Sequence, residues 1–360
     1  MVSKVKKSKT KVYVAMSGGV DSSVAAALLV KQGYDVTGIF MKNWSGVDFG
    51  IQGDCPWEQD QHDAEEVCKE LGIPFKSYNF EKEYRQTVMT YFFGELRKGR
   101  TPNPDVMCNK EIKFGIFFER AIREGADYIA TGHYARVTSN DYGSFLLKGV
   151  DGNKDQSYFL YRITQDKLAK TLFPIGVLDK SEVRRMAKDL KLEVAEKPDS
   201  QGICFIGEIN VNEFIKQQIK PHKGDIVDIA TNLVVGTHEG IEFFTIGQRE
   251  GLGIGGLSRP YFVSSKEKNK NILYVAGGSK NKALYKTKIS FSDMHLINKF
   301  HKIPNIIQAS IRYRQKPMNG VLEIKRNLFT FNKPERAIAE GQSIVFYDGE
   351  ICLGGAIIEG

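Results

Sequence analysis

A turn rich in glycine, serine and aspartate is the first stretch whose residues could do chemistry. Residues 17–23 (SGGVDSS) follow the apolar run 12–16 and precede an Ala/Leu-rich run. This order predicts a strand, a phosphate-binding loop and a helix N-terminus, whose unpaired N–H groups and dipole attract anions. No Gly-Lys-Ser/Thr follows, so the lysine that serves the β- and γ-phosphates in a P-loop is missing. We therefore expect the pyrophosphate of ATP as ligand, with chemistry near the α-phosphate; a tight turn without a ligand is the alternative.

A loop with two prolines brings an acid and a thiol close together in the chain. The segment 101–110 (TPNPDVMCNK) cannot continue a helix through its prolines, and it carries Asp105 and Cys108. A helix is predicted over 111–124, and its N-terminus, together with Lys110, would favour the thiolate of Cys108. We expect a functional thiol here; a buried, inert cysteine is the alternative.

A second candidate thiol, Cys204, lies on a short apolar run between glycines in 199–207 (DSQGICFIG), a setting that also suits a core cysteine. The other cysteines are weaker candidates. Packing explains Cys68 in a predicted amphipathic helix and Cys352 in a predicted strand, and Cys55 has no base nearby. Five cysteines at irregular spacing, without Cys-x-x-Cys, argue against a disulfide framework, and we predict no metal site.

Basic and aromatic residues mix in three places: 154–159 (KDQSYF), Arg249 with the glycine-rich stretch after it, and 312–314 (RYR). Arginine and tyrosine can hold phosphate and stack on unpaired bases. The net charge is +8 and the isoelectric point is near 9.0, part of the excess coming from the lysine-rich tail 4–11. Together these features favour RNA as a partner, although each segment alone could be a solvated surface.

The elements that must position these residues change in character along the 360-residue chain. Strands and helices alternate up to about residue 131, which predicts a parallel sheet with helices on both faces. The turn 17–23, Met41 and Gly132 should meet at the carboxyl edge of that sheet; a plain core residue is the alternative for Met41. A hairpin is predicted around 141–143, and helical periodicity ends near 223. From about Ala283, short alternating strands predict an antiparallel barrel or sandwich.

The chain shows no apolar run near the ~20 residues that span a bilayer, and its N-terminus lacks the apolar stretch of a signal peptide. We therefore expect a cytoplasmic protein with no membrane partner.

Several motifs together carry a resemblance. The turn 17–22 resembles the PP-loop of ATP pyrophosphatases, an anion-binding turn without the P-loop lysine. With the further segments, the chain is similar to the bacterial tRNA-specific 2-thiouridylases from about residue 11 to 360. The segments are 41–44 (MKNW), 101–114, 131–134 (TGHY), 154–160 (KDQSYFL), 202–207 (GICFIG), 247–249 (GQR) and 352–355 (CLGG).

The resemblance implies a tRNA-uridine 2-sulfurtransferase that uses ATP with Mg²⁺ to adenylate the C2 oxygen of the wobble uridine, which sulfur then displaces. It implies that Cys204 carries a persulfide, that Cys108 is its partner nucleophile through a transient disulfide, and that Asp105 is a general acid or base. The sulfur would come from a persulfide-carrying relay protein fed by a cysteine desulfurase.

The resemblance also implies three sets of contacts in this sequence. The ATP contacts are Ala15, Met16, Ser17, Gly18, Gly19, Val20, Asp21, Ser22, Met41 and Gly132. The residues that frame the target base are Asn103, Pro104 and Asp105, and those that touch tRNA elsewhere are His133, Lys154, Asp155, Gln156, Arg312, Tyr313 and Gln342. The implied architecture is a PP-loop domain (1–210), a small central domain (211–282) and a C-terminal β-barrel (283–360).

Glu250 stands where members commonly carry lysine, which puts a phosphate contact there in doubt, and Gln201 replaces a small polar residue. Two other functions stay open: another PP-loop adenylating enzyme acting on tRNA, such as a lysidine synthetase, and a nucleotide-responsive RNA-binding protein without catalysis. Neither would need a thiol pair.

Overall fold

A five-stranded parallel sheet forms the first part of the fold, seen in a computed structural model that describes residues 9–45, 56–199, 211–255 and 259–360. The strand order is β3-β2-β1-β4-β7, and every neighbouring pair is parallel. The strands are β1 (Lys11–Met16), β2 (Asp35–Lys42), β3 (Phe75–Asn79), β4 (Tyr128–Thr131) and β7 (Thr171–Leu172).

Helices cover both faces of this sheet, as the alternation of strands and helices predicts. The α-helices are α1 (Val20–Lys31), α2 (Pro56–Glu70), α3 (Glu81–Tyr84), α4 (Thr90–Arg97), α5 (Pro104–Cys108), α6 (Phe118–Arg123), α7 (Ser157–Leu160), α8 (Gln165–Leu168), α9 (Lys180–Asp189) and α10 (Val211–Lys216). Two π-helical stretches, Arg85–Met89 and Asn109–Phe117, connect α3 to α4 and α5 to α6.

Successive side chains of β2 point to opposite faces of the sheet, as in any strand. Val36 and Phe40 pack in the cluster that contains the buried side of α1. Ile39 and Met41 pack in the other cluster, together with Cys108 of α5. The odd-numbered residues of β2 therefore face the cysteine, and the even-numbered ones face α1.

The helix expected over 111–124 begins seven residues earlier, so this prediction is wrong at its N-terminal end. The Asn103 side chain caps α5 by accepting a hydrogen bond from the Val106 N–H at 3.3 Å, and Pro104 takes the first helical position. Proline is well suited to that position because its missing N–H would have no helical partner there.

The middle of the chain folds on a four-stranded sheet in the order β10-β11-β8-β9. It contains β8 (Gly224–Asp228), β9 (Val234–His238), β10 (Tyr261–Glu267) and β11 (Ile272–Gly277). Short 3-10 turns lie at Glu193–Glu196, Ile241–Phe243, Lys268–Lys270, Lys282–Leu284 and Ile324–Arg326.

The C-terminal part is a closed antiparallel barrel rather than a sandwich. Its strands follow the order β12-β15-β14-β13-β16-β17, and β12 also pairs with β17, which closes the ring. They are β12 (Tyr285–Leu296), β13 (Ile306–Ser310), β14 (Met318–Glu323), β15 (Leu328–Arg336), β16 (Ser343–Asp348) and β17 (Ile351–Ile358). Rings of Phe329, Phe331 and Phe346 pack inside it.

The predicted hairpin belongs to this barrel sheet, although it is formed much earlier in the chain. Its strands are β5 (Ala135–Asn140) and β6 (Gly143–Lys148), and β6 pairs with β17 through Leu146 and Leu147. The hairpin therefore links the parallel-sheet part to the barrel.

Among the helices of the described ranges, none combines the length and apolar character needed to cross a bilayer.

Candidate active site

The glycine turn joins β1 to α1, as predicted, and leaves the helix N-terminus uncapped. Gly18 has a φ of +71°, and a Cβ there would lie 2.3 Å from the Asp60 carbonyl oxygen, so only glycine fits. Gly19 is the N-cap residue of α1 and makes no side-chain cap hydrogen bond. The turn thus offers backbone N–H groups at the positive end of a helix dipole, an arrangement that suits an anion.

The serines of the turn brace its backbone. The Ser22 hydroxyl accepts a hydrogen bond from the Ser17 N–H at 3.2 Å and donates to the Gly19 carbonyl at 3.0 Å. The Ser23 hydroxyl donates to the same carbonyl at 2.9 Å. Ser22 and Ser23 are buried whereas Ser17 is exposed, so the hydroxyl of Ser17 is the one that solvent and a ligand can reach.

The residues expected to contact ATP meet at the carboxyl edge of the parallel sheet. Ala15 lies opposite Ile39 of β2 and Thr131 of β4, which places Met41 and Gly132 beside the start of the turn. A Cβ on Gly132 would approach the Ser22 backbone nitrogen to 2.6 Å. The glycine is therefore required for the close contact between the end of β4 and the start of α1.

A lysine from another element reaches this turn. The Lys180 ammonium, on the first residue of α9, donates to both carboxylate oxygens of Asp21, at 2.8 and 2.9 Å. The Tyr134 hydroxyl donates to the same carboxylate at 2.8 Å. A capping box of Asp179 and Glu182 begins this helix, but nothing in the sequence indicates the contact with Asp21. A cation therefore lies beside the PP-loop although the loop itself contains none.

Asp199 forms ion pairs with three cationic side chains, one of which also pairs with Asp21. Its carboxylate accepts from Lys154 at 2.6 Å, and from Lys180 and Arg184 at 2.7 Å each. Burial tends to raise the pKa of this carboxyl, but the hydrogen bonds from Lys154 and Lys180 outweigh it and hold the pKa below the usual 3.8. Asp199 therefore stays ionised at all physiological pH values.

Cys108 ends α5 and is buried, with 1% of its surface exposed, in the cluster that also contains Ala15 and Met41. The thiol thus lies on the same face of the sheet as two predicted ATP contacts. It lies one turn inside its helix rather than at the N-terminus. The helix dipole therefore does not favour the Cys108 thiolate in the way that the sequence predicts. Lys110 pairs with Glu111 at 2.7 Å. Cys204 lies outside the described residues.

Two other cysteines are buried and chemically unsuited to act as nucleophiles. Burial is the main cause that raises the pKa of the Cys68 thiol to about 12, and burial likewise raises that of Cys352 well above its usual value. Both thiols are protonated at neutral pH, as their predicted packing roles require. Cys55 lies outside the described residues.

The barrel contacts the loop that leads to α5. The Gln342 amide donates to the carbonyl oxygens of Thr101 and Pro102, at 3.2 and 2.8 Å, and the Thr101 N–H donates to the Glu340 carbonyl at 2.8 Å. Arg100 joins Glu95 and Glu359 at 2.5 and 2.9 Å. The loop carrying Asn103, Pro104 and Asp105 is therefore held between the two parts of the molecule.

Comparisons with known proteins bear on this arrangement. The chain is 50% identical to tRNA-specific 2-thiouridylase MnmA of Staphylococcus saprophyticus, over 97% of this chain and 95% of that protein. It is also 50% identical to that of Staphylococcus carnosus over the same shares, and 49% identical to that of Alkaliphilus oremlandii over 97% of each chain. The chain belongs to the tRNA-specific 2-thiouridylase family.

Three protein-family domain models match most of the chain. They match a "tRNA methyl transferase HUP domain" at residues 10–208, a "tRNA methyl transferase PRC-barrel domain" at 212–277 and an "Aminomethyltransferase beta-barrel domain" at 286–358. The three-part architecture expected from the resemblance is confirmed: a parallel-sheet domain, a small central domain and a closed β-barrel. The proposed boundaries at 210 and 282 remain predictions.

Among the residues that the family resemblance assigns to tRNA, Arg312 lies at the surface and His133 is buried. Arg312 is exposed beside the half-buried Tyr313, whose ring packs on Phe159 with centroids 4.6 Å apart. His133 is buried, its Nδ1 lies 2.6 Å from the Thr131 hydroxyl, and burial holds its pKa well below 6.5. An imidazole in this state is neutral at pH 7 and can offer hydrogen bonds but no charge.

Asp155 and Gln156 shape the backbone around the site. The Asp155 carboxylate accepts from the Gly149 and Ser157 N–H groups, both at 3.0 Å, and the Gln156 amide oxygen accepts from the Tyr134 N–H at 2.9 Å. Their roles toward tRNA stay predictions.

Within the described ranges, no three His, Cys, Asp or Glu side chains are grouped as a metal site requires.

Proposed function

We propose that this chain is an enzyme that replaces the C2 oxygen of the wobble uridine of tRNA by sulfur, using ATP. One observation carries the proposal: the uncapped N-terminus of α1 follows β1 at the carboxyl edge of the parallel sheet, and the buried thiol of Cys108 packs in the cluster that contains Ala15 and Met41 of that edge. An anion site for pyrophosphate beside a cysteine suits adenylation followed by attack of sulfur. The family membership supports the same reaction.

In the proposed first step, the C2 oxygen of uracil attacks the α-phosphorus of ATP, and pyrophosphate leaves. The N–H groups of the turn, with the Ser17 hydroxyl, take up the negative charge of the leaving pyrophosphate. Lys180 balances Asp21, whose carboxylate would otherwise repel the phosphates. Mg²⁺ accompanies the nucleotide.

In the second step, the terminal sulfur of a Cys204 persulfide attacks C2, and the C2–oxygen bond breaks with release of AMP. The Cys108 thiolate attacks the inner sulfur, so that the persulfide S–S bond breaks and a Cys108–Cys204 disulfide forms. A thiol reductant then restores both cysteines. Asp105 would act as a general acid or base beside the uracil.

A sulfur-relay protein fed by a cysteine desulfurase would supply the persulfide in the cytoplasm. The tRNA would lie across the base-framing loop and the barrel, where Arg312 can pair with phosphate and Tyr313 can stack on a base. The division into domains 1–210, 211–282 and 283–360 belongs to this proposal.

The test is incubation of undermodified tRNA with ATP, Mg²⁺, a persulfide sulfur donor and a thiol reductant, followed by mass spectrometry of the nucleosides. We expect 2-thiouridine together with pyrophosphate and AMP. Pyrophosphate release without 2-thiouridine, unchanged in Cys108→Ser, would indicate another adenylating enzyme. Retention of tRNA without pyrophosphate release would indicate an RNA-binding protein.

A further inference from the structure

Asn43 is buried without hydrogen bonds at the edge of the sheet where the site lies. Its side chain is 2% exposed, and neither its Oδ1 nor its Nδ2 has a hydrogen-bond partner. In the part of the chain that the structure describes, it is the only side chain with two such buried atoms. Native proteins satisfy nearly all buried polar groups, because leaving them unpaired lowers stability.

Other buried asparagines nearby use their amides. Asn103 accepts from the Val106 N–H, and Asn109 donates to the Phe159 carbonyl at 3.2 Å, although its Oδ1 has no partner. In the barrel, Asn298 accepts from the Phe300 N–H at 2.9 Å and donates to the Tyr142 carbonyl at 3.0 Å. A packing role therefore does not account for an amide at position 43, where a leucine of similar size would avoid the desolvation penalty.

The neighbours of Asn43 in the chain indicate which face of the sheet it lies on. It follows Lys42, the last residue of β2, and it lies between Met41 and Trp44 in the chain. These two residues face the cluster that contains Cys108, not the cluster of α1. Asn43 thus belongs to the same edge and face as the predicted nucleotide contact Met41 and the proposed reactive thiol.

We propose that Asn43 reads the hydrogen-bonding edge of a nucleobase bound at this site, an inference that rests on the proposed function. A carboxamide carries one acceptor and one donor group side by side, and it matches a base edge that presents a donor beside an acceptor. Adenine offers this pattern at its N6 amine and N1, and uracil offers it at N3–H and O4. The ligand chemistry is therefore a base edge, supplied by ATP or by the target uridine.

The experiment measures binding preferences in wild type, Asn43→Leu and Asn43→Asp. The adenine comparison is the affinity for ATP against purine riboside triphosphate, which lacks the N6 amine. The uracil comparison is the affinity for tRNA with uridine against 2-pyrimidinone riboside, which lacks both the N3–H and O4, at the wobble position. Asn298→Leu is the matched control, since it removes a buried asparagine whose Oδ1 and Nδ2 both make hydrogen bonds.

We expect wild type to prefer its base by roughly tenfold in one comparison, and both Asn43 variants to lose that preference. Asn43→Leu should melt no lower than wild type, whereas Asn298→Leu should melt lower and keep the preference. If the Asn43 variants lose the preference in the adenine comparison, the base comes from ATP; if they lose it in the uracil comparison, the base is the target uridine. Preferences retained in Asn43→Leu, or absent from wild type in both comparisons, would overturn the inference. These are binding measurements, so a wild-type chain that makes no 2-thiouridine would contradict the proposed function alone.

Discussion

The amide of Gln342, on the barrel, donates to the carbonyl oxygen of Pro102 at 2.8 Å. This bond joins the barrel to the loop that frames α5, whose last residue is Cys108. The barrel therefore takes part in positioning the proposed nucleophile, in addition to any contact it makes with tRNA.

Replacing Gln342 by alanine should lower kcat/KM for tRNA by roughly tenfold, because two hydrogen bonds to the loop are lost. The affinity for ATP should not change, since the two hydrogen bonds of Gln342 involve Thr101 and Pro102 and no residue of the PP-loop. Steady-state 2-thiouridine formation and equilibrium ATP binding measure the two effects. Gln308→Ala, on β13 of the same barrel, is the control and should behave as wild type. Equal losses in both variants would show a general barrel defect.

Replacing Lys180 by methionine should weaken ATP binding by about tenfold, because the Asp21 carboxylate then lacks its cation beside the incoming phosphates. The affinity for adenosine, which has no phosphates, should stay the same. Isothermal titration with both ligands measures this difference. Lys188→Met removes a lysine of the same helix that pairs with the exposed Glu196, and it should leave ATP binding unchanged. A similar loss for adenosine would mean that Lys180 only supports the fold.

The cysteines should separate by function. Cys108→Ser should abolish 2-thiouridine formation, while Cys68→Ser and Cys352→Ser should keep most of it. With a pKa of about 12, roughly one Cys68 thiol in ten thousand is ionised at pH 8. Alkylation of the folded protein followed by peptide mass spectrometry should therefore leave Cys68 and Cys352 unmodified. Rapid alkylation of Cys68 would contradict its packing in the core.

The Asp199 cluster should make stability depend on pH in the acid range. Burial raises the pKa of Asp199, but its cationic partners lower it further, so the folded pKa lies below the usual 3.8. The stabilisation from the ionised form is complete above that usual value and is lost as the pH falls towards the folded pKa. Asp199→Asn should thus melt well below wild type at pH 7, and the gap should shrink on acidification below 3.8. A constant gap would exclude a role of its ionisation.

The parallel sheet and its functional edge could be predicted because both rest on local patterns. Short apolar runs, glycine stops and amphipathic helices determine where β1, α1 and β2 lie, and parallel strands bring their carboxyl ends together. The start of α5 also had a local signal, because asparagine followed by proline is a favourable N-cap and first helical residue. The prediction missed it by treating both prolines as helix breakers.

The contacts between distant elements could not be predicted in the same way. Lys180 and Asp21 are 159 residues apart in the chain, and nothing in either segment indicates the other. The unsatisfied amide of Asn43 is likewise visible only once the burial of its neighbours is known. Such features depend on tertiary packing, whereas the motif at 17–23 depends on local backbone conformation.

The pairing of β6 with β17 limits how the molecule can be divided or recombined. The hairpin 135–148 leaves the parallel sheet three residues after Gly132, yet its outer partner is the barrel strand that contains Cys352. Excising the barrel would expose the β6 edge and the buried Leu146 to solvent. A chimaera that takes its barrel from a relative must therefore take the matching hairpin too. The barrel and the hairpin behave as one exchangeable unit, although they are far apart in the sequence.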